Sequence, residues 1–116
     1  CEASLCGLPV ISTNHSGQTM FLNKNNSYLL DVDQFIKIEQ GTMHVHYWDG
    51  QEFPYLKSEE SILKASKLMR EVYQKHKKAK AKNSLLQKYI IDNYNSDNII
   101  NMVKSKLETI RQEKLC

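Results

Sequence analysis

The sequence predicts an α/β fold: a front third that alternates helix and strand, followed by a back half of three helices. Three observations carry this expectation. "EASLCG" reads as a helix closed by glycine, "LPVIS" as a short strand apolar on both faces, and "YLLDV" as another short strand. From Ser58 onward, apolar residues recur at helical spacing. A strand buried on both faces suits a parallel sheet covered by helices, so helix, glycine and strand make one step of a layered α/β unit.

The elements follow in order. "EASLC" holds good helix formers, and Gly7 stands where a left-handed residue ends a helix. Pro9 falls at the start of the first strand, where no ladder hydrogen bond is lost. The stretch "TNHSGQTMFLNKNNS" is a loop that winds into a short helix, capped by Asn14 or Ser16, with Met20, Phe21 and Leu22 on its inward side. Polar residues 23–27 end it, and "YLLDV" is the next strand. Residues 33–57 alternate weakly, with Gly41 near a turn, and are assigned as a variable, hairpin-like insertion.

Residues 58–116 form the helical region. Ser58 caps, Glu59 and Glu60 suit the positive helix start, and Ile62, Ala65, Met69, Val72 and Tyr73 fall on one stripe. Leu85, Leu86, Tyr89 and Ile90 make a second apolar face that stops near "DNYNSD". Ser96 or Asp97 then caps a last helix carrying Ile99, Ile100, Val103, Leu107 and Ile110. Two parallel strands make a poor domain alone, so further strands of the sheet are expected outside this chain.

Composition bounds the function. With 116 residues the chain is one domain at most, and 41% apolar with 25% charged residues excludes global disorder. No apolar stretch approaches the span of a bilayer and no charged-then-apolar leader opens the chain, which points to a cytoplasmic protein, soluble or peripheral to a membrane. Three cysteines without a C-x-x-C spacing make no disulfide framework and favour a reducing compartment. Cys6, among Ala3, Leu5 and Leu8, reads as a small buried hydrophobe. The net charge of +3 comes mostly from "KHKKAKAK", a run without interleaved aromatics that usually forms a solvated helix face or a helix junction.

Glu2 is the residue with the clearest chemistry. A carboxylate in the first turn of a helix accepts both hydroxyls of a cis-diol, beside free N–H groups that favour a diphosphate. In open α/β sheets such ligands gather beyond the carboxyl ends of the strands. The plainer role is compensation of the helix's own dipole.

The opening stretch "EASLCGLPVISTNHSGQTMFLNKNNSYLL" resembles E-A-[MS]-x-C-G-x-P-V-I-x-T-x-x-[SG]-G of the C-terminal domain of retaining glycosyltransferases with the GT-B fold, the glycosyltransferase family 4 and group 1 type. "SILKASKLMREVYQ" and "YIIDNYNSDNIINMVKSKLETI" are similar to that family's later helices, so the resemblance spans nearly the whole chain. It implies that residues 1–116 are the C-terminal part of a Rossmann-like domain that binds a nucleotide-diphosphate-sugar. Glu2 would hold the donor ribose, the backbone of Ala3 would face the diphosphate, and the family's first motif glutamate would lie upstream of Cys1. Met20 stands where many relatives carry glutamate, so no role passes to position 20.

Other candidates have plainer roles. His44 and His46 share one strand face without a third ligand, so no metal site is assigned; His15, in the loop after the strand, could approach the donor or simply face solvent, and His76 belongs to the basic run. Asn14, Ser16 and Gly17 could offer hydrogen bonds near the strand's carboxyl end or simply make turns, the turn role being favoured for Gly17; Tyr47 and Trp48 could stack on a sugar but are read as packing. The function expected is transfer of a sugar, with retention, from a nucleotide-diphosphate-sugar to a hydroxyl of a carbohydrate, lipid or protein, with no cofactor beyond the donor. This chain alone is expected to be inactive, and no nucleic-acid partner is expected. The alternative is a basic helical module that contacts nucleic acid or an anionic membrane through residues 75–82.

Overall fold

The computed structural model describes residues 1–39 and 49–113. The expected alternation is present. The chain is mixed α/β with few strands, one parallel and one antiparallel pair, followed by three long helices.

Helix α1 (Glu2–Leu5) ends as its glycine requires. Gly7 takes φ +84°, its N–H donates to the Ser4 carbonyl at 2.8 Å, and the Leu8 N–H donates to the Ala3 carbonyl at 3.0 Å. This double closure needs a left-handed residue, and an added Cβ would meet no neighbour, so the demand is on the backbone alone. Strand β1 (Ile11–Thr13) then pairs in parallel with β2 (Tyr28–Leu30), Ile11 opposite Tyr28 and Thr13 opposite Leu30.

A short 3₁₀ turn (Ser16–Met20) links the two strands, and here three expectations change. Neither Asn14 nor Ser16 caps it: His15 holds the cap position without a side-chain bond, and Ser16 itself adopts φ +65°. Met20 is 72% exposed, while Phe21 and Leu22 turn inward. With about three residues per turn, a run of three apolar residues cannot all face one side. The polar residues after it do more than end an element. Asn26 donates to the Phe21 carbonyl (2.9 Å) and accepts from the Asn23 N–H (2.8 Å), and Ser27 Oγ donates to the Asn23 carbonyl (2.8 Å). Asn26 and Ser27 are buried, so this is a self-satisfied internal turn that delivers Tyr28 to the ladder.

Strands β3 (Phe35–Lys37) and β4 (Glu52–Pro54) pair antiparallel, Ile36 opposite Phe53, with Gly50 at φ +77° donating to the Ile38 carbonyl. Residues 33–57 thus carry a hairpin-like pair. Gly41, His44, His46, Tyr47 and Trp48 lie outside the described residues.

Helix α2 (Glu59–Gln74) is capped by Ser58, whose Oγ accepts from the Ser61 N–H at 3.2 Å. Its inward residues are Ser61, Ala65, Leu68 and Val72, whereas Ile62, Met69 and Tyr73 of the expected stripe are exposed. Helix α3 (His76–Asn93) starts after a break at Lys75 and buries Ala79, Asn83, Leu86 and Ile90; Leu85 and Tyr89 stay exposed. Helix α4 (Ser96–Glu113) is capped by Asn95, whose Oδ1 accepts from the Asn98 N–H at 2.9 Å, in place of Ser96 or Asp97. Its stripe, Ile99 through Ile110, is exposed along its length.

The core is Leu22, Leu86 and Ile90, with Val10, Phe21, Leu29 and Tyr94 packed around them and Phe21 edge-on to Tyr94. A polar clasp ties α1 to α3. Ser4 Oγ donates to Asn83 Oδ1 at 2.7 Å, Asn83 Nδ2 donates to the Ser4 carbonyl at 3.0 Å, and Gln87 donates to the Leu5 carbonyl at 3.1 Å. Ser4, fully buried, takes the inward place expected for Cys6, which is exposed.

The clasp predicts an asymmetric mutational response. Asn83→Ala strands the buried Ser4 hydroxyl, while the Ser4 carbonyl keeps its bond from Gly7, and should lower the unfolding free energy by about 1–3 kcal/mol in urea denaturation. Gln87→Ala, whose bond is exposed, should cost less than about 1 kcal/mol.

Candidate functional site

Glu2 sits in the first turn of α1 and is exposed, as is Ala3. No hydrogen bond or ion pair engages its carboxylate among the described residues. The first helical bond is donated by Leu5 to the Cys1 carbonyl (3.0 Å), so the N–H groups of Glu2, Ala3 and Ser4 precede the ladder. Carboxylate and open amide donors therefore share one helix mouth. Neither residue lines the clefts beside α1, beside α2 or on α4.

The carboxyl ends of the parallel pair carry a polar set. Asn14, just past β1, donates to Asp31 Oδ1, just past β2, at 2.9 Å. Gln18 Nε2 donates to Thr13 Oγ1 at 2.8 Å. Thr13, Gln18 and Asp31 were not singled out from the sequence, although position alone marks them as the first polar groups beyond each strand or in the turn that folds over it. Asn14 belongs to this set, while Ser16 and Gly17 only shape the turn. His15 is spent on packing, its ring edge-on to Phe35 at 5.3 Å.

The amino end of the pair is chemically different. Lys82 Nζ donates to the Lys24 carbonyl (2.5 Å) and the Ser27 carbonyl (3.0 Å) and lies 4.5 Å from the Tyr28 ring centroid. Burial, with Lys78 nearby, pushes the Lys82 pKa down, and burial with the Glu71 charge pushes the Tyr28 phenol up. Glu71 is shared by Lys78 (3.4 Å) and Lys75 (3.6 Å), and these cations, Lys78 foremost, hold its carboxyl below the ordinary 4.5. Three of the five lysines of the basic run are thereby engaged within the chain. Lys64, bound by Asp33 and Glu60, is raised by those bonds.

A cleft of about 470 Å³ between α1 and α3 is lined by Cys6, Leu8, His76, Lys80, Asn83 and Gln87. Among the described residues no three His, Cys, Asp or Glu side chains converge as a metal site, and no helix is long and apolar enough to cross a membrane. No family model, no curated protein and no solved structure matches the chain.

Glu71 gives a pH dependence of known sign. Its folded-state pKa lies below 4.5, so its stabilising contribution is full above pH 4.5 and is lost as pH falls through the folded-state value. The stability gap between wild type and Glu71→Gln, measured by urea unfolding from pH 7 to pH 3, should therefore shrink on the acid side. A gap independent of pH would contradict the pairing.

Proposed function

We propose that this chain supplies the donor-nucleotide part of a retaining glycosyltransferase of the GT-B type, with Glu2 accepting the ribose hydroxyls and the Ala3 N–H directed at the diphosphate. One observation carries the reading: an exposed carboxylate, unpaired among the described residues, and three open amide donors stand together at the start of α1. The order of elements supports it. A helix that feeds a parallel strand through a tight turn runs back along that strand, so its amino end lies toward the strand's carboxyl end, where ligands of open α/β sheets collect. The resemblance of the opening stretch adds the identity of the ligand.

The chemistry asked of the site is modest. Departure of a nucleoside diphosphate builds negative charge, which fixed N–H dipoles offset without reorganising. The carboxylate orients the nucleoside through two charge-assisted bonds. Glu2 is exposed and lines none of the clefts described above, in keeping with the expectation that residues 1–116 do not turn over donor by themselves. In this reading the sheet's GT-B partners and the acceptor site lie in other parts of the protein.

Titration calorimetry of the intact glycosyltransferase with a panel of nucleotide-diphosphate-sugars tests the proposal. Glu2→Ala should weaken donor binding by about tenfold or more, the worth of a charge-assisted hydrogen bond, with Glu2→Gln intermediate. Lys77→Ala and Lys80→Ala should leave it unchanged. Binding that ignores Glu2 but falls steeply with salt and with the lysines would favour the basic-module reading instead. Robust sugar transfer by residues 1–116 would also overturn the assignment.

A further inference from the structure

We propose that the cleft between β2, α2 and α3 is a second binding site, for a small oxyanion of the phosphate class, held by the Tyr28 hydroxyl and the ammonium groups of Lys78 and Lys82. The cleft measures about 260 Å³ and is lined by Lys24, Tyr28, Leu68, Glu71, Lys78 and Lys82, among others. That is ample for a phosphoryl group with part of its ester.

The first observation is Tyr28. Its side chain is 4% exposed, and its hydroxyl is shielded from solvent without a hydrogen-bond partner among the described residues. A phenylalanine would fill the same space without leaving a polar group unsatisfied. Tyr28 lines the cleft together with Glu71 and Lys78. A phenol is a donor at neutral pH, and an anionic oxygen is the acceptor that benefits most from it.

The second observation is charge. Three ammonium groups (Lys24, Lys78 and Lys82) line the cleft with one carboxylate (Glu71), which Lys75, outside the lining, also pairs with. Lys82 has committed two of its three donors to main-chain carbonyls, so one remains. Burial and the neighbouring Lys78 charge hold its pKa down. The Lys78 contact to Glu71 is long at 3.4 Å and exposed, which an entering anion can replace. The cleft sits at the amino end of β2, away from the carboxyl ends where the donor reading puts its ligand, so the two sites are independent.

The test uses the intact protein with tyrosine-ring labelling. Sodium phosphate and, separately, a simple phosphate monoester are titrated against sodium chloride at matched ionic strength. Either phosphate should give a saturable shift of the Tyr28 resonance that chloride does not, and tighter binding of the monoester would identify the esterified group as the natural source. Tyr28→Phe, which keeps the ring over Lys82, should weaken binding about tenfold when followed through neighbouring amides, and Glu71→Gln should strengthen it several-fold. Glu2→Ala should change neither. Shifts no larger than those in chloride, affinity unaltered in Tyr28→Phe, or binding abolished by Glu2→Ala would overturn the proposal.

Discussion

The reciprocal pair of Ser4 and Asn83 is the constraint on which the rest of the structure depends. Both side chains are buried, so each must meet the other's hydrogen-bonding demand, and only one rotation of α3 against α1 allows it. That rotation decides what the other residues of α3 do. Ala79, Leu86 and Ile90 share the face of Asn83 at helical spacing, so Leu86 and Ile90 reach the core and the small Ala79 is sealed inside. Lys82, one residue before, is carried to the turn ahead of β2, and Gln87 to the end of α1. A clasp between positions 4 and 83 thus joins the α/β front to the helical back.

The same register makes the two ends of the parallel pair unlike. At the carboxyl end, Asn14, Gln18, Thr13 and Asp31 bond among themselves and offer neutral amides and a carboxylate. At the amino end, lysines gather around a buried phenol. An end of amides with one carboxylate and a cationic end are suited to different ligand groups.

Much of the fold was legible because its signals are local. Gly7 and Ser58 act within a few bonds of themselves, so their roles survive any tertiary arrangement. The two short parallel strands were legible for the same reason, whereas only a hairpin somewhere within residues 33–57 was expected, and β4 itself was not read. Features that depend on which side of an element meets a neighbour were harder to read. Asn95, not Ser96 or Asp97, caps α4, since all three are competent and the helix start chooses among them. Cys6 and Ser4 lie two positions apart on one turn, and the hydrogen-bonding partner on α3 selects the serine. Ile62, Met69 and Tyr73 are apolar at helical spacing yet face outward, because α2 meets β2 and α3 through the adjacent stripe.

The sequence by itself determined the kinds of element, their order, and the presence of a carboxylate at the mouth of the first helix. Period, capping residues and glycine conformation are properties of neighbouring residues, and they need no distant contact to act. The tertiary structure alone decided which faces are buried, that Lys82 is drawn into main-chain carbonyls while Lys77 and Lys80 stay exposed, and that the Tyr28 hydroxyl is sealed without a partner among the described residues. Those outcomes depend on residues more than fifty positions apart arriving at the same place. The desolvation they impose arises only when the elements pack.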